Sequence, residues 1–117
     1  MKTANLLASF YYAFSGLFHF IRNDRNGKIH LCISLLVIIA GWYYSISATE
    51  WIAILLCIAL VLSLEMCNHA LEMLCDVAQP EIDPRIKTIK DVAAAAVLMA
   101  VLISVSIGVI IFWHRIF

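Results

Sequence analysis

Three stretches of the chain are long and apolar enough to form membrane-spanning helices. They cover residues 31–47, residues 51–64 with a continuation to about residue 77, and residues 92–113. A helix that crosses the hydrocarbon core of a bilayer needs about 20 predominantly apolar residues. We therefore predict an all-α integral membrane protein, a single domain over residues 1–117, with transmembrane helices over about 29–47, 51–77 and 91–113.

The N-terminal segment has a different pattern, in which apolar side chains recur at helical spacing on one face. Asn5, Ser9 and His19 are among the polar residues that interrupt the rest. A one-sided apolar pattern is typical of a helix that lies in the membrane surface. We predict such an amphipathic helix over residues 3–22, and a fourth span is the alternative. Its apolar face comprises Leu6, Leu7, Phe10, Phe14, Leu17, Phe18 and Ile21.

The composition supports a membrane protein, because 64% of the residues are hydrophobic and only 14% are charged. Soluble domains are nearer half apolar and a quarter charged. The formal net charge is +0, so the overall charge does not indicate a nucleic acid partner. The 4 cysteines show no C-x-x-C spacing, which favours small core side chains over a metal site or a disulfide framework.

Basic residues are distributed unevenly between the two sides of the predicted bundle. Most lie before the first span or between the second and third spans, whereas the opposite side has only Arg115. Lysine and arginine concentrate on the cytoplasmic side of membrane proteins. We therefore place the N-terminus and the 76–90 loop on the cytoplasmic side. The basic residues on that side are Lys2, Arg22, Arg25, Lys28, Arg85, Lys87 and Lys90.

Polar side chains form a stripe on the second predicted span, directly after the uncharged residues 51–64. Glu65, Glu72 and Asp76 point in nearly the same direction at about 100° per residue, with Asn68 to one side. Ionisable groups in a membrane are costly and normally face a bundle interior, where they handle ions or do chemistry. We therefore expect a functional role for Glu65 and Asn68, whereas Glu72 alone is also compatible with an ordinary interfacial residue.

Charged residues from three predicted helices converge at the depth of this stripe, namely Asp24, Glu65, Glu72, Lys90 and Asp91. Paired carboxylates suit Mg²⁺, which takes one or two carboxylates together with substrate phosphates. A lysine suits phosphate oxygens, and another carboxylate can accept a proton from a hydroxyl. The simpler alternatives are a membrane anchor at the Lys90-Asp91 pair and a solvated loop containing the charges of residues 76–87.

Two other classes of function are compatible with these residues. The acidic stripe also suits a non-enzymatic cation-binding or transport subunit. His30 and His69 lie on different predicted spans and form a weak signal for a haem held by two histidines. The 4 glycines form no glycine-rich phosphate loop, so a bound nucleotide must be held by Mg²⁺ and side chains.

The motifs resemble those of the prokaryotic diacylglycerol kinase family, which includes the undecaprenol kinases. Residues 65–72 follow an E-x-x-N-x-A-x-E pattern, and the Lys90-Asp91 pair precedes an alanine run. Residues 9–17 fit the surface-helix motif of the family, and residues 25–30 resemble the R-N-x-[RK]-I-H segment of its undecaprenol-type branch. The resemblance covers essentially the whole chain.

This resemblance implies a homotrimeric kinase of the bacterial cytoplasmic membrane, with an amphipathic N-terminal helix and three spans per subunit. Its active sites lie between subunits near the cytoplasmic surface and use Mg²⁺ and ATP. The implied reaction transfers the γ-phosphoryl group to the hydroxyl of a membrane lipid alcohol. Undecaprenol and diacylglycerol are both candidates, and the segment at residues 25–30 slightly favours undecaprenol.

The resemblance also assigns roles to individual residues. Glu65 matches the general base and Asn68 its polar partner, while Asp24 and Glu72 match the carboxylates that bind the metal. Asp24 stands where the family usually has Glu, and His69 stands where it usually has a small residue. The residues implied in nucleotide binding are Tyr12, Asp24, Glu72, Glu81, Ile82, Asp83, Lys90 and Asp91.

Overall fold

The computed structural model describes residues 5–117 as four α-helices. They are α1 (Leu6–Asn23), α2 (Arg25–Tyr43), α3 (Ala48–Ala78) and α4 (Pro84–Ile116). Helices α2, α3 and α4 are long and apolar enough to cross a membrane. Helices suit that setting because every backbone hydrogen bond is made within the segment. The expectation of an all-α fold with three span-length helices is therefore confirmed.

The start of the first helix is only partly covered by the described residues. Asn5 is the N-cap of α1, and its side chain accepts a hydrogen bond from the backbone N–H of Leu7 at 2.9 Å. The predicted start at residue 3 and the basic residue Lys2 lie outside the described range.

A single acidic residue separates α1 from α2. Asp24 is the N-cap of α2, and its Oδ2 accepts a hydrogen bond from the backbone N–H of Gly27 at 2.9 Å. The ring of Phe20 lies over Gly27 so closely that an added Cβ would be 2.5 Å from Phe20 Cζ. Glycine is therefore needed at residue 27 for α1 to pack against the first turn of α2.

The turn between α2 and α3 is tight and closed by hydrogen bonds. Ser45 has a φ of 51°, a left-handed conformation that non-glycine residues seldom adopt. Ser47 then caps α3 in a capping box with Glu50, in which each side chain accepts from the other residue's backbone N–H. This turn makes α2 and α3 antiparallel neighbours.

Helix α3 is the centre of the bundle, because α2 and α4 both pack against it. The apolar core near the α2–α3 turn includes Ile46, Ile54 and Ile111. At the same level, Arg115 at the end of α4 forms an ion pair with Glu50 at the start of α3, with a distance of 2.8 Å from Nη2 to Oε1. These contacts join the last turn of α4 to the first turn of α3.

Helix α4 begins earlier than the apolar run that marks it in the sequence. Its N-cap is Asp83, and Pro84 occupies the first turn, where its missing N–H has no intrahelical partner to lose. Lys90 and Asp91 therefore lie inside the helix, beyond its first turn.

The cysteines are all free. Cys75 is buried, as expected for a core side chain, and Cys57 is partly buried. The expectation is wrong for Cys32 and Cys67, which are exposed. Both lie on outward faces of their helices, where large apolar side chains such as Leu36 are also exposed.

Candidate functional site

The polar stripe on α3 divides into a buried part and an exposed part. Glu65 is 2% exposed and Asn68 is 7% exposed, whereas Glu72 and Asp76 are accessible. The buried pair faces α2 and the junction between α1 and α2. A carboxyl group and an amide therefore lie inside a helix bundle that is otherwise apolar, as the sequence indicated.

Carboxylates from two helices gather around this buried pair. Asp24, at the α1–α2 junction, lies next to Glu65, and Glu72 lies within electrostatic range of the same carboxyl group. Asn68 bridges the stripe, because its Nδ2 donates to Glu72 Oε1 at 3.5 Å. Neighbouring carboxylates repel each other unless a proton or a cation lies between them. The cluster is therefore arranged to receive positive charge.

Glu65 and Asp24 each have a histidine neighbour. His30 Nε2 on α2 lies 3.7 Å from Glu65 Oε2, and His69 Nδ1 on α3 lies 3.4 Å from Asp24 Oδ1. The sequence analysis considered these histidines as haem ligands, and His69 also as a departure from the family pattern, but it predicted neither contact. The short α2–α3 turn was the available signal for His30, because antiparallel neighbours bring the start of α2 beside the second half of α3.

Three buried polar atoms of this region have no hydrogen-bond partner within residues 5–117. They are Glu65 Oε1, Asn68 Oδ1 and His69 Nε2. Buried polar atoms in folded proteins are nearly always paired, so unpaired ones require an explanation. Three of them in one cluster indicate a place where a ligand completes the hydrogen bonding.

Lys90 and Asp91 are adjacent on α4, but only Lys90 contacts the polar stripe of α3. Lys90 Nζ forms an ion pair with Asp76 Oδ1 at 2.7 Å, which links α4 to α3. Lys90 is also within electrostatic range of Glu72. Asp91 instead pairs with Lys87 on its own helix, at 2.7 Å. The structure therefore brings Lys90 to the acidic stripe, while Asp91 faces another lysine.

The remaining residues of the predicted nucleotide site lie around the edges of the cluster. Tyr12 on α1 lines a cavity of about 390 Å³ between α1 and α3, together with Phe20 and His69. Glu81 and Ile82 are exposed in the α3–α4 connection. No hydrogen bond or ion pair in the described part of the chain joins these two residues to Glu65.

Asp83 has a structural role that the sequence did not identify. Its Oδ1 accepts a hydrogen bond from the backbone N–H of Arg85 at 2.9 Å, and the Arg85 guanidinium lies 2.9 Å from Oδ2. These contacts hold the pKa of the Asp83 carboxyl below its ordinary value. Asp83 is therefore fixed as the cap of α4.

The donor set around Glu65 does not form a metal site from protein atoms alone. Among residues 5–117, no group of three or more His, Cys, Asp or Glu side chains is placed to hold a metal ion. One or two carboxylates are nevertheless the usual protein contribution to Mg²⁺ when substrate phosphates supply further ligands. Asp24 and Glu72 both lie within electrostatic range of Glu65, which suits a cation that arrives with a phosphate compound.

The buried acid Glu65 is followed along α3 by the accessible acids Glu72 and Asp76, and Lys90 pairs with Asp76. Such an arrangement is typical of a membrane enzyme that handles charged groups. Comparisons with known proteins define the class. The family model described as prokaryotic diacylglycerol kinase matches residues 11–112. The chain therefore belongs to the prokaryotic diacylglycerol kinase family and is a lipid kinase.

Two curated relatives illustrate the similarity. The undecaprenol kinase of Bacillus subtilis is 36% identical over 104 residues, which are 89% of this chain and 85% of that protein. The diacylglycerol kinase of a Synechocystis species is 35% identical over 105 residues, which are 89% of this chain and 60% of that protein. The family expected from the motifs is confirmed by these matches.

Proposed function

We propose that this lipid kinase transfers the γ-phosphoryl group of Mg·ATP to the hydroxyl of a membrane lipid alcohol, with Glu65 as the general base. The observation that carries the proposal is the buried Glu65 carboxyl group. It lies beside Asp24, and one of its oxygens has no partner within the described residues. A general base must be free to accept the proton of the attacking hydroxyl.

The neighbouring residues supply the remaining functions of a phosphoryl transfer. Asp24 and Glu72 would hold Mg²⁺, which neutralises phosphate charge when bound. Lys90 stabilises phosphate oxygens from the outer end of the stripe, in exchange for its present pairing with Asp76. Asn68 donates a long hydrogen bond to Glu72, and we assign it the role of positioning that carboxylate. Positioning and electrostatic stabilisation provide most of the catalysis in such reactions.

The exposed residues implied in nucleotide binding complete the proposed ATP site. Tyr12 lies on α1, and residues 81–83 lie in the connection from α3 to α4. We assign the adenosine part of ATP to this region, with Asp91 near the phosphates. The phosphates then lie between the solvent-exposed edge of the bundle and the buried Glu65.

The lipid alcohol is the part of the proposal with two candidates. The R-N-x-K-I-H segment and the similarity to the Bacillus subtilis undecaprenol kinase favour undecaprenol. The Synechocystis relative is named a diacylglycerol kinase. Undecaprenol is therefore the proposed acceptor, and diacylglycerol is the comparison.

The assembly and location also belong to this proposal. We place the chain as a homotrimer in the bacterial cytoplasmic membrane, with α1 on the inner surface and the site on the cytoplasmic side. The concentration of basic residues around the start of α2 and between α3 and the apolar part of α4 supports this orientation. Chemical cross-linking in membranes tests the subunit number, and the accessibility of a cysteine placed at residue 81, in a variant whose four native cysteines are replaced by alanine, tests the side.

The function is tested with the purified full-length chain in mixed micelles and ³²P-labelled ATP. We expect Mg²⁺-dependent labelling of undecaprenol that exceeds labelling of diacylglycerol. Chelation of Mg²⁺ abolishes the labelling. A chain that folds and binds Mg²⁺ but labels neither lipid contradicts the proposed function and favours a cation-binding protein.

A further inference from the structure

The contact between His30 and Glu65 has a geometry that a direct pair does not explain. The Nε2 to Oε2 distance of 3.7 Å is too long for a hydrogen bond. The Glu65 side chain is 3% exposed and that of His30 is 20% exposed. The two side chains thus face each other across a narrow gap, with His30 nearer to the surface of the bundle.

An apolar cavity adjoins His30, which forms one side of this gap. It has a volume of about 230 Å³ and lies between α2, α3 and α4. Val37, Val61 and Phe112 are among the apolar residues that line it, and His30 lies at its polar end. The nearby Ser34 hydroxyl is already used, because it donates to the backbone carbonyl of His30 at 2.7 Å.

The size and lining of the cavity suit one kind of occupant. Pockets for ordinary small molecules measure about 300–1,000 Å³. A smaller and almost wholly apolar space fits a segment of a single hydrocarbon chain. If that chain ends in a hydroxyl at the polar end of the cavity, the hydroxyl meets His30, and Glu65 Oε2 lies 3.7 Å from His30 Nε2.

We propose that His30 binds the acceptor hydroxyl and orients it against Glu65, with the hydrocarbon chain of the alcohol in the α2–α3–α4 cavity. This inference rests on the proposed lipid kinase function. With its proton on Nε2, His30 donates a hydrogen bond to the hydroxyl oxygen. The same hydroxyl donates its own hydrogen to Glu65. One lone pair of the oxygen is then left to attack.

The transfer step balances with this arrangement. The hydroxyl O–H bond breaks and its proton goes to Glu65, while a bond forms between the hydroxyl oxygen and the γ-phosphorus of ATP. The bond from the γ-phosphorus to the bridging oxygen breaks, and its electron pair leaves with ADP. His30 keeps its proton throughout and acts by binding the nucleophile.

The first test separates the hydrogen bond of His30 from its bulk. His30→Phe keeps a ring but loses the donor, and His30→Gln keeps an N–H at similar reach. We expect His30→Phe to lower kcat/KM for undecaprenol about tenfold, the equivalent of one hydrogen bond, without changing KM for Mg·ATP. His30→Gln recovers most of the loss. His114→Phe, an exposed histidine near the end of α4, is the matched control and retains wild-type kinetics.

The second test fills the cavity without touching His30. A Cβ added at Gly108, which lines the cavity, meets nothing within 4 Å. Gly108→Leu is expected to raise KM for undecaprenol with little change in KM for Mg·ATP. Ser106→Leu adds similar bulk at an exposed residue of the same helix and is the control. A second copy of the chain in the cavity instead predicts that Gly108→Leu alters subunit assembly and leaves KM unchanged.

Three outcomes overturn the inference while the kinase proposal stands. His30→Phe keeps the wild-type kcat/KM for undecaprenol, or His30→Gln is as impaired as His30→Phe, or Gly108→Leu acts only on assembly. If the wild-type chain phosphorylates no lipid alcohol, the proposed function itself fails and this inference fails with it.

Discussion

Helix α3 carries one glutamate in its first turn, Glu50, and another past its middle, Glu65, and their surroundings differ in opposite ways. Glu50, in the first turn, accepts hydrogen bonds from Ser47 and from both terminal nitrogens of Arg115, at 2.8–2.9 Å. Glu65 is more deeply buried, yet it has an oxygen without a partner in the described chain and a histidine at 3.7 Å. Glu50 therefore has an arginine partner, whereas Glu65 has only a histidine beyond hydrogen-bond distance.

This difference separates a stabilising acid from a reactive one. A bidentate pair between Arg115 and Glu50 links the last turn of α4 to the first turn of α3 and stabilises the fold. A buried carboxylate without such a partner lowers stability, because burial disfavours its charge. The cluster around Glu65 therefore keeps a carboxyl group available for chemistry at the expense of stability.

The largest effect is expected for a substitution of Glu65, measured as the rate of lipid phosphorylation. Glu65→Gln keeps the shape of the side chain but removes the base, and we expect lipid phosphorylation to fall about 100- to 10,000-fold. The measurement is the initial rate with undecaprenol and labelled ATP. Glu50→Gln is the matched control and retains a rate within about twofold of wild type. Equal losses of rate in the two variants would contradict the assignment of a structural role to Glu50 and a catalytic role to Glu65.

The next effect separates the two roles of Asp24. Asn is an equally good N-cap, so Asp24→Asn is expected to keep α2 intact. The same change removes a carboxylate from the proposed Mg²⁺ site and is expected to lower activity about 10- to 100-fold. Titration of activity with MgCl₂ checks this, because the half-saturating concentration should rise. Unchanged Mg²⁺ dependence would show that Asp24 acts only as a cap.

A second variant of Asp24 keeps the charge and weakens the cap. Asp24→Glu keeps a carboxylate and lengthens the side chain by one methylene. Glu is a poorer N-cap for α2 than Asp. We expect activity close to wild type and a loss of about 1 kcal/mol in the free energy of unfolding. Thermal unfolding in detergent measures the second quantity.

A stability effect of intermediate size is expected where α1 meets α2. Gly27→Ala places a Cβ 2.5 Å from the Phe20 ring, and such overpacking costs about 1–3 kcal/mol. Replacing Phe20 with Leu in the same chain should recover most of that loss. Gly16→Ala is the control, because its Cβ meets nothing within 4 Å and alanine suits a helix better. Limited proteolysis of α1 reports the docking directly.

The smallest effect is expected in the turn between α2 and α3. Ser45 has a φ of 51°, a conformation that glycine adopts at little cost. Ser45→Gly is therefore expected to raise the free energy of unfolding by about 0.5 kcal/mol. Ser106→Gly, inside α4, should lower it by about 0.5–1 kcal/mol. Destabilisation by both variants would show that the turn does not hold Ser45 against its preference.

Much of the architecture follows from the sequence alone. The three apolar runs predict α2, α3 and α4, because a span-length hydrophobic segment has few alternatives in a membrane. The spacing of Glu65, Asn68 and Glu72 at helical intervals likewise predicts their common face. The proximity of Asp24 to Glu65 was also expected, since both residues lie at the same predicted membrane depth.

Most of the individual side-chain pairs between helices were not predicted from the sequence. The pairing of His30 with Glu65 depends on the rotation of α2 relative to α3, which the apolar pattern of α2 leaves undetermined. The Glu50–Arg115 pair joins residues far apart in the chain. Asp83 and Pro84 form a recognisable cap signal, yet the apolar run placed the helix start several residues later. Local cap chemistry rather than hydropathy sets that boundary.

The sign of the stability change at the two glutamates tests the central claim most directly. The free energy of unfolding in detergent is compared for wild type, Glu65→Gln and Glu50→Gln. We expect Glu50→Gln to lower it by about 1 kcal/mol, because an arginine loses its charged partner. Glu65→Gln should leave it unchanged or raise it, because a poorly paired carboxyl group is replaced by a neutral amide. A loss at Glu65 as large as the loss at Glu50 would contradict the account.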